Sequence, residues 1–392
     1  MLEYAGARPA RARRAHRAEA ASAALRLDWL LLAASLGLVA FGLWAIGGIT
    51  RHDVAGSPDH YVVRQGIFAA VGAVLLVGAI ALDVQVLRRF KRPLYGLVVV
   101  PLVLVLFAGA ATRGSQRWLD LGAFQFQPSE FGKLFLALFL AAFLADRGRQ
   151  ATDAASVAAA IGLAAVPAVL VFAQPDFGTA LVYAAIVAGA IFFAGTRWLH
   201  LSVLGGLGAL AAATLVWLLP AMGVDVLKPY QYERLTAFTN RAGAPPETTY
   251  NVEQSITAIG AGGLDGRGTE GATQTRFDYL PEHATDFVFA SLAEQRGFVG
   301  AAMLLLLYLL LLWRGLRIVS LAGDAFSAIV AGTIVFTLLF QIFVNVGMTM
   351  GIAPVTGIPL PFVSVGGSSM IANLAAVGIL LSIHARSRRR GA

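Results

Sequence analysis

The sequence predicts an all-α integral membrane protein with ten transmembrane helices and one long extracytoplasmic loop between spans seven and eight. Three observations predict it. The chain is 58% hydrophobic and only 13% charged, where soluble domains carry about 25% charge. Its charges sit in short clusters separated by apolar runs of about 17 to 26 residues, the length of helix that crosses roughly 30 Å of hydrocarbon. Its basic residues fall on alternate connections.

In order, the spans are expected at about Trp29–Ile49, Gly66–Leu82, Pro93–Ala111, Pro128–Ala145, Ser156–Ala173, Phe177–Gly195, Leu201–Val224, Gly297–Trp313, Ala325–Met350 and Gly366–Ile383. Residues 1–27 form an Arg-rich cytoplasmic tail, 28–385 the membrane domain and 386–392 a basic cytoplasmic tail. The first apolar run is too long for a signal peptide and no small-residue cleavage site follows it, so it reads as an uncleaved anchor. Arg8 to Arg26, Arg88 to Arg92, Arg147 and Arg149, Arg197, Arg314 and Arg317, and Arg386 to Arg390 lie on one set of connections. The other set's short loops hold only Arg51, Arg64, Arg113 and Arg117. Cytoplasmic loops retain Lys and Arg, so both termini are expected inside. This asymmetry accounts for the net charge of +8 and leaves nothing for nucleic acid to explain. With no cysteine, disulfides, thiolate metal sites and cysteine nucleophiles are excluded.

The connection over 225–296 is out of proportion to the rest and falls on the outer side. Loops of that length are functional or disordered, and Tyr250, Phe277, Tyr279, Phe287 and Phe289 give this one apolar surface to pack down with. Chemistry is therefore expected on the outer face.

Three acids stand at or just before helices that start outside: Glu130 in QPSE, Asp176 in QPDFGT and Asp286 in PEHATDF. Acids there can simply cap orphan N–H groups and complement the helix dipole. Their grouping at one membrane face points instead to a shared polar cavity, because ionisable groups at membrane depth are usually functional. Lys133, inside a span and three residues from Glu130, shares its helical face and reads either as a satisfied ion pair or as the cation for an anionic substrate group.

The stretch GAGGLDGRG from Gly260 misses the dinucleotide-binding spacing and has no preceding strand, so a tight turn is favoured over a phosphate cradle. The last outer loop, Gly351 to Ser369, is uncharged and broken by Pro354, Pro359 and Pro361. Non-helical backbone at membrane depth survives only where it is buried or lines a cavity, so this loop is expected to wall the site, with Ser364 and Ser368 facing substrate. No histidine spacing suits a metal.

Six blocks resemble the SEDS family of peptidoglycan glycosyltransferases, whose members include RodA and FtsW. They are RGSQRWLDLGAFQFQPSEFGKL from Arg113, QPDFGTA from Gln174, PYQYERLTAF from Pro229, YNVEQSITAIGAGGLDGRG from Tyr250, LPEHATDF from Leu280 and TGIPLPFVSVGGSS from Thr356. The resemblance runs from about residue 28 to 385 and implies polymerisation of lipid II into glycan strands at the outer face of the bacterial cytoplasmic membrane. It places the family's essential aspartate on Asp286 and its polar cavity on Glu130, Lys133 and Asp176. Arg117 and Arg234 are the outer arginines expected to meet a diphosphate, with Mg²⁺ or Mn²⁺ as the divalent cation that suits it. The Ile358-Pro359 form looks more like the elongation branch than the division branch. A class B penicillin-binding protein and other elongation or division proteins are the implied partners, and a lipid II flippase or a scaffold are the rival readings. The chain departs from the family pattern at His283, one place early, and at Gln295, Val365 and Arg267.

Overall fold

The computed structural model describes residues 27–112, 115–120, 122, 125–223 and 246–390. Arg113, Arg234 and the PYQYERLTAF block lie outside them. The helices are α1 (Trp29–Ile49), α2 (His60–Ala81), α3 (Lys91–Ala108), α4 (Pro128–Arg147), α5 (Ala154–Ala173), α6 (Phe177–Phe193), α7 (Trp198–Ala213), α8 (Pro246–Gly262), α9 (Val288–Leu321), α10 (Ala325–Thr349) and α11 (Gly367–Arg390). Eight of the described helices are long and apolar enough to cross a membrane, and the apolar helices Phe177–Phe193 and Trp198–Ala211 are shorter. At 1.5 Å per residue α6 spans roughly 26 Å, while α7 continues through a wider turn at Thr214–Leu218 to Ala221.

The helices sort into a centre and a rim. Within their most apolar stretches, 78% of α4, 72% of α10 and 89% of α11 is buried, against 28% of α2 and 22% of α3. The central helices are buried over most of their surface, and their few polar side chains, such as Lys133 and Gln341, are buried with it. The rim helices present Val63, Ile67, Val74, Leu104 and Phe107 outward, as a lipid contact requires. α2 lies along α11, α3 along α4, α1 along α9, and α10 touches α4, α6, α9 and α11.

The structure changes three expectations. First, the chain is not purely helical: Ala110–Thr112, Ser115–Asp120 and Gln125–Phe126 form a small antiparallel sheet of β1, β2 and β3 between α3 and α4. The strands follow directly on the apolar span, which stops at Ala108 rather than Ala111. Second, the long outer loop is substantially helical where described, with α8 packed on α9. Third, α9 begins at Val288, well before the expected Gly297, which instead interrupts it with φ 64° and ψ −165°. The helix resumes because backbone from the glycine-rich stretch enters the break. Phe298 N donates to Gly263 O (2.8 Å) and Val299 N to Leu264 O (3.2 Å), while Arg267 N donates to Glu294 O (2.9 Å). Gly262 and Gly266 therefore serve close backbone packing against the start of α9. At the other end, α11 continues as helix to Arg390, so most of the expected basic tail is helical.

Candidate functional site

Pro128 opens α4 with a fixed φ suited to a first helical position, and Glu130 follows in the first turn. Glu130 is 2% exposed and Lys133 7% exposed. They meet as an ion pair, Lys133 Nζ to Glu130 Oε2 at 2.7 Å. Lys133 also donates to Gln341 Oε1 on α10 at 3.3 Å. Below the pair, Leu134, Ala137, Thr337, Asn373 and Ala376 line a cavity of about 30 Å³ between α4, α10 and α11, enough for a water or two.

Asp176 caps α6, its Oδ1 accepting from Thr179 N at 3.1 Å. The capping reading therefore holds for this residue. Capping does not exhaust it, because Arg117 Nη1 stands 3.8 Å from the same oxygen. Arg117, from β2, also donates to Pro175 O, so the hairpin is pinned to the start of α6.

Asp286 lies one residue outside α9, whose N-cap is Phe287. The carboxylate lies against the last outer loop: a Cβ added to Gly357 would stand 3.4 Å from Asp286 Oδ2. Gly357 has φ +72°, so a side chain there would strain the backbone as well as press on the acid. On the loop's other side the first turn of α6 leaves so little room that a Cβ on Gly178 would lie 3.1 Å from Ile358 Cγ1. The segment Thr356–Ile358 therefore separates the Asp286 carboxylate from the Asp176 helix start.

Two polar residues on α10 complete the connection. Gln341 meets Lys133, and Asn345, one helical turn on, donates to Asp286 O at 2.9 Å and to Ile358 O at 2.8 Å. Glu130, Lys133, Asp176, Arg117 and Asp286 are thus gathered around one end of α10. Gln341 and Asn345 escaped the sequence reading, although two amides four apart inside an apolar span are a legible signal.

The expected substrate hydroxyls are engaged with the protein. Ser364 Oγ donates to Thr285 O at 2.5 Å and accepts from Leu360 N at 2.8 Å. Ser368 Oγ accepts from Gln127 N at 3.0 Å, just ahead of α4. Gln65, buried on α2, holds the same loop by donating to Ser364 O and accepting from Gly366 N, both at 3.1 Å.

His283, one place away from the family position, faces Asp53 with Nε2 3.1 Å from Oδ2. Its Nδ1 lies 3.2 Å from Leu280 O and 3.3 Å from Asp278 Oδ1. Burial opposes its charge, yet the Asp53 contact, the Asp278 charge and the Leu280 carbonyl together hold its pKa above the ordinary value. The described residues contain no group of three or more His, Asp or Glu side chains arranged to hold a metal. A divalent ion here would share its coordination with the substrate's diphosphate, since Mg²⁺ is commonly held by one or two carboxylates plus substrate phosphates.

Comparison with known proteins agrees with this architecture. A family model described as cell cycle protein, covering FtsW, RodA and SpoVE, matches residues 24–389. Stage V sporulation protein E of Bacillus subtilis (strain 168) is 35% identical over 367 residues, 92% of this chain and 98% of that protein. Peptidoglycan glycosyltransferase MrdB of Escherichia coli (strain K12) is 35% identical over 360 residues, 92% of this chain and 94% of that one. A solved chain described under "Structural coordination of polymerization and crosslinking by a peptidoglycan synthase complex" superposes with a TM-score of 0.78 at 33% identity, covering 92% of this chain and 98% of its own. With a shared fold, matching length and a site built from the matching segments, the chain belongs to the FtsW/RodA/SpoVE family of multi-pass membrane proteins.

Proposed function

We propose that this chain is a peptidoglycan glycosyltransferase that polymerises lipid II at the outer face of the bacterial cytoplasmic membrane, with both termini inside. One observation carries the reading. Asp286, through its backbone carbonyl, and the buried cation Lys133 are hydrogen-bonded to side chains one turn apart on α10. Polymerising a lipid-linked sugar diphosphate needs a base for an attacking hydroxyl and positive charge for a departing diphosphate.

In the proposed step the 4-hydroxyl oxygen of the acceptor sugar attacks the anomeric carbon of the growing strand from the face opposite the diphosphate. A carbon–oxygen bond forms, the bond to the diphosphate breaks, and the diphosphate leaves with the electron pair on its lipid. Asp286 takes the hydroxyl proton, and attack from the face opposite the diphosphate inverts the anomeric centre. Lys133 and Arg117 supply positive charge towards the leaving group, and Glu130 keeps Lys133 ionised and aimed. A divalent cation enters only as the counter-ion of the diphosphate itself. The apolar rim helices let both lipid tails remain in the bilayer while their headgroups reach the outer loops.

The Ile358-Pro359 form of the last outer loop supports the elongation branch, with a class B penicillin-binding protein as partner. The coverage of a synthase complex chain supports that partner. The decisive experiment incubates purified protein with labelled lipid II, with and without Mg²⁺ or a chelator, beside Asp286→Asn. A ladder of glycan products lost in the variant is expected. Transfer of lipid II across proteoliposomes with no ladder in any condition would overturn the enzyme in favour of a flippase.

A further inference from the structure

Asn345 is fully buried on α10, and its amide spends both its hydrogens on two chain segments far apart in sequence. Nδ2 donates to Asp286 O at 2.9 Å and to Ile358 O at 2.8 Å. Both partners are carbonyls, which only donate-capable nitrogen can satisfy, so the partners themselves fix which way the amide points. One acceptor belongs to the peptide of Asp286. The other follows Gly357, the residue whose α-carbon faces Asp286 Oδ2. A single side chain therefore ties the acid to the surface its carboxylate rests on.

Three further features make this more than a packing detail. Asn345 Oδ1 is buried without a hydrogen-bond partner among the described residues. A buried orphan acceptor costs free energy, and an apolar residue would avoid that cost unless the two donated bonds matter. The loops also have other ties: Val365 N donates to Ala284 O at 3.0 Å, and Ser364 Oγ donates to Thr285 O at 2.5 Å. These hold the segment before Asp286, and the fork adds a tie at Asp286 itself. Finally, Gln341 lies one turn away and accepts from Lys133, so the same helical face sets the acid and the cation at a fixed separation.

We infer that Asn345 is a positioning residue for glycosyl transfer, acting through Asp286 by fixing its carboxylate against the Gly357–Ile358 segment. The inference rests on the glycosyltransferase reading above. Loss of the fork leaves two carbonyls without a donor and lets the acid drift, and displacement by about 1 Å costs on the order of a hundredfold in rate.

The test compares wild type, Asn345→Ala, Asn345→Ser and Asn345→Asp in the lipid II polymerisation assay, with thermal unfolding in detergent alongside. Asn345→Ala should lower kcat by about a hundredfold, change KM less than about threefold and displace the acid limb of the pH–rate profile. A variant that is merely less folded would lose amplitude without moving that limb. Asn345→Ser, with one short donor, should fall between, and Asn345→Asp, with an acceptor facing two carbonyls, should be no better than alanine. Should alanine fail to fold, the serine variant decides. Wild-type kcat in a folded variant, or a loss lying wholly in KM, would overturn the role of Asn345. A wild-type protein that makes no glycan would instead overturn the enzyme reading.

Discussion

Gly266 and Gly297 meet backbone to backbone at the point where α9 breaks. A Cβ on Gly297 would overlap Gly266 N and Leu264 O, and one on Gly266 would overlap Gln295 O and the Arg296 backbone. Gly297 also has φ 64° and ψ −165°, a region that side chains almost forbid. Gly297→Ala should therefore destabilise the protein by about 2–4 kcal/mol, combining backbone strain with overlap. Thermal unfolding in detergent reads it, and an unchanged midpoint would show that the break can close without the glycine.

That contact also shows where sequence reasoning stops. Spacing and composition located the apolar helices, because hydrocarbon thickness imposes a length that any sequence must display. They also brought Glu130, Lys133, Asp176 and Asp286 to one face, since an ionisable group beside an apolar run is conspicuous. They could not say that Ser364 and Ser368 hydrogen-bond to Thr285 O, Leu360 N and Gln127 N. The contacts to Thr285 O and Gln127 N join segments far apart along the chain, and no local pattern encodes them. Glu294 makes the same point: fully buried in α9, it accepts from Gln274 N at 2.8 Å and Thr275 N at 3.0 Å. Its partners lie about twenty residues upstream, beyond the reach of any local pattern.

The Glu130–Lys133 pair should show strong coupling. Both groups are almost wholly buried, so Lys133→Met leaves an uncompensated carboxylate and should cost about 3–5 kcal/mol. Glu130→Gln together with Lys133→Met removes both charges and should recover much of that loss. Recovery of stability without recovery of polymerisation separates the structural part of the pair from its proposed chemistry. A double variant no more stable than Lys133→Met alone would refute the coupling.

His283 should give the fold a pH dependence of defined sign. Its pKa is raised in the folded protein by Asp53, Asp278 and the Leu280 carbonyl against the effect of burial. A group with a raised folded value stabilises fully below its ordinary pKa, near 6.5, and loses that contribution as pH rises through the folded value. The unfolding midpoint should therefore fall as pH is taken upward from about 6.5. Asp53→Asn removes the principal partner and should flatten that fall. Parallel wild-type and Asp53→Asn curves would exclude the pair as its source.

On the opposite side of the bundle, Arg314 on α9 closes on Asp28 through Nε at 3.0 Å and Nη2 at 2.6 Å to the same Oδ2. The other carboxylate oxygen caps α1 at Leu31 N, 3.0 Å away. One buried acid thus serves both as the start of α1 and as its tie to α9. Arg314→Leu strands that charge and should cost about 3–5 kcal/mol. Arg314→Lys keeps the charge but loses the planar fork, so it should cost less without reaching wild type. Asp28→Asn with Arg314→Leu removes both charges, leaves an amide oxygen for the cap, and should be more stable than Arg314→Leu alone. Measured as unfolding midpoints, that order separates the fork from the charge. If lysine and leucine prove equal, the guanidinium geometry, and not merely the positive charge, is what joins α1 to α9.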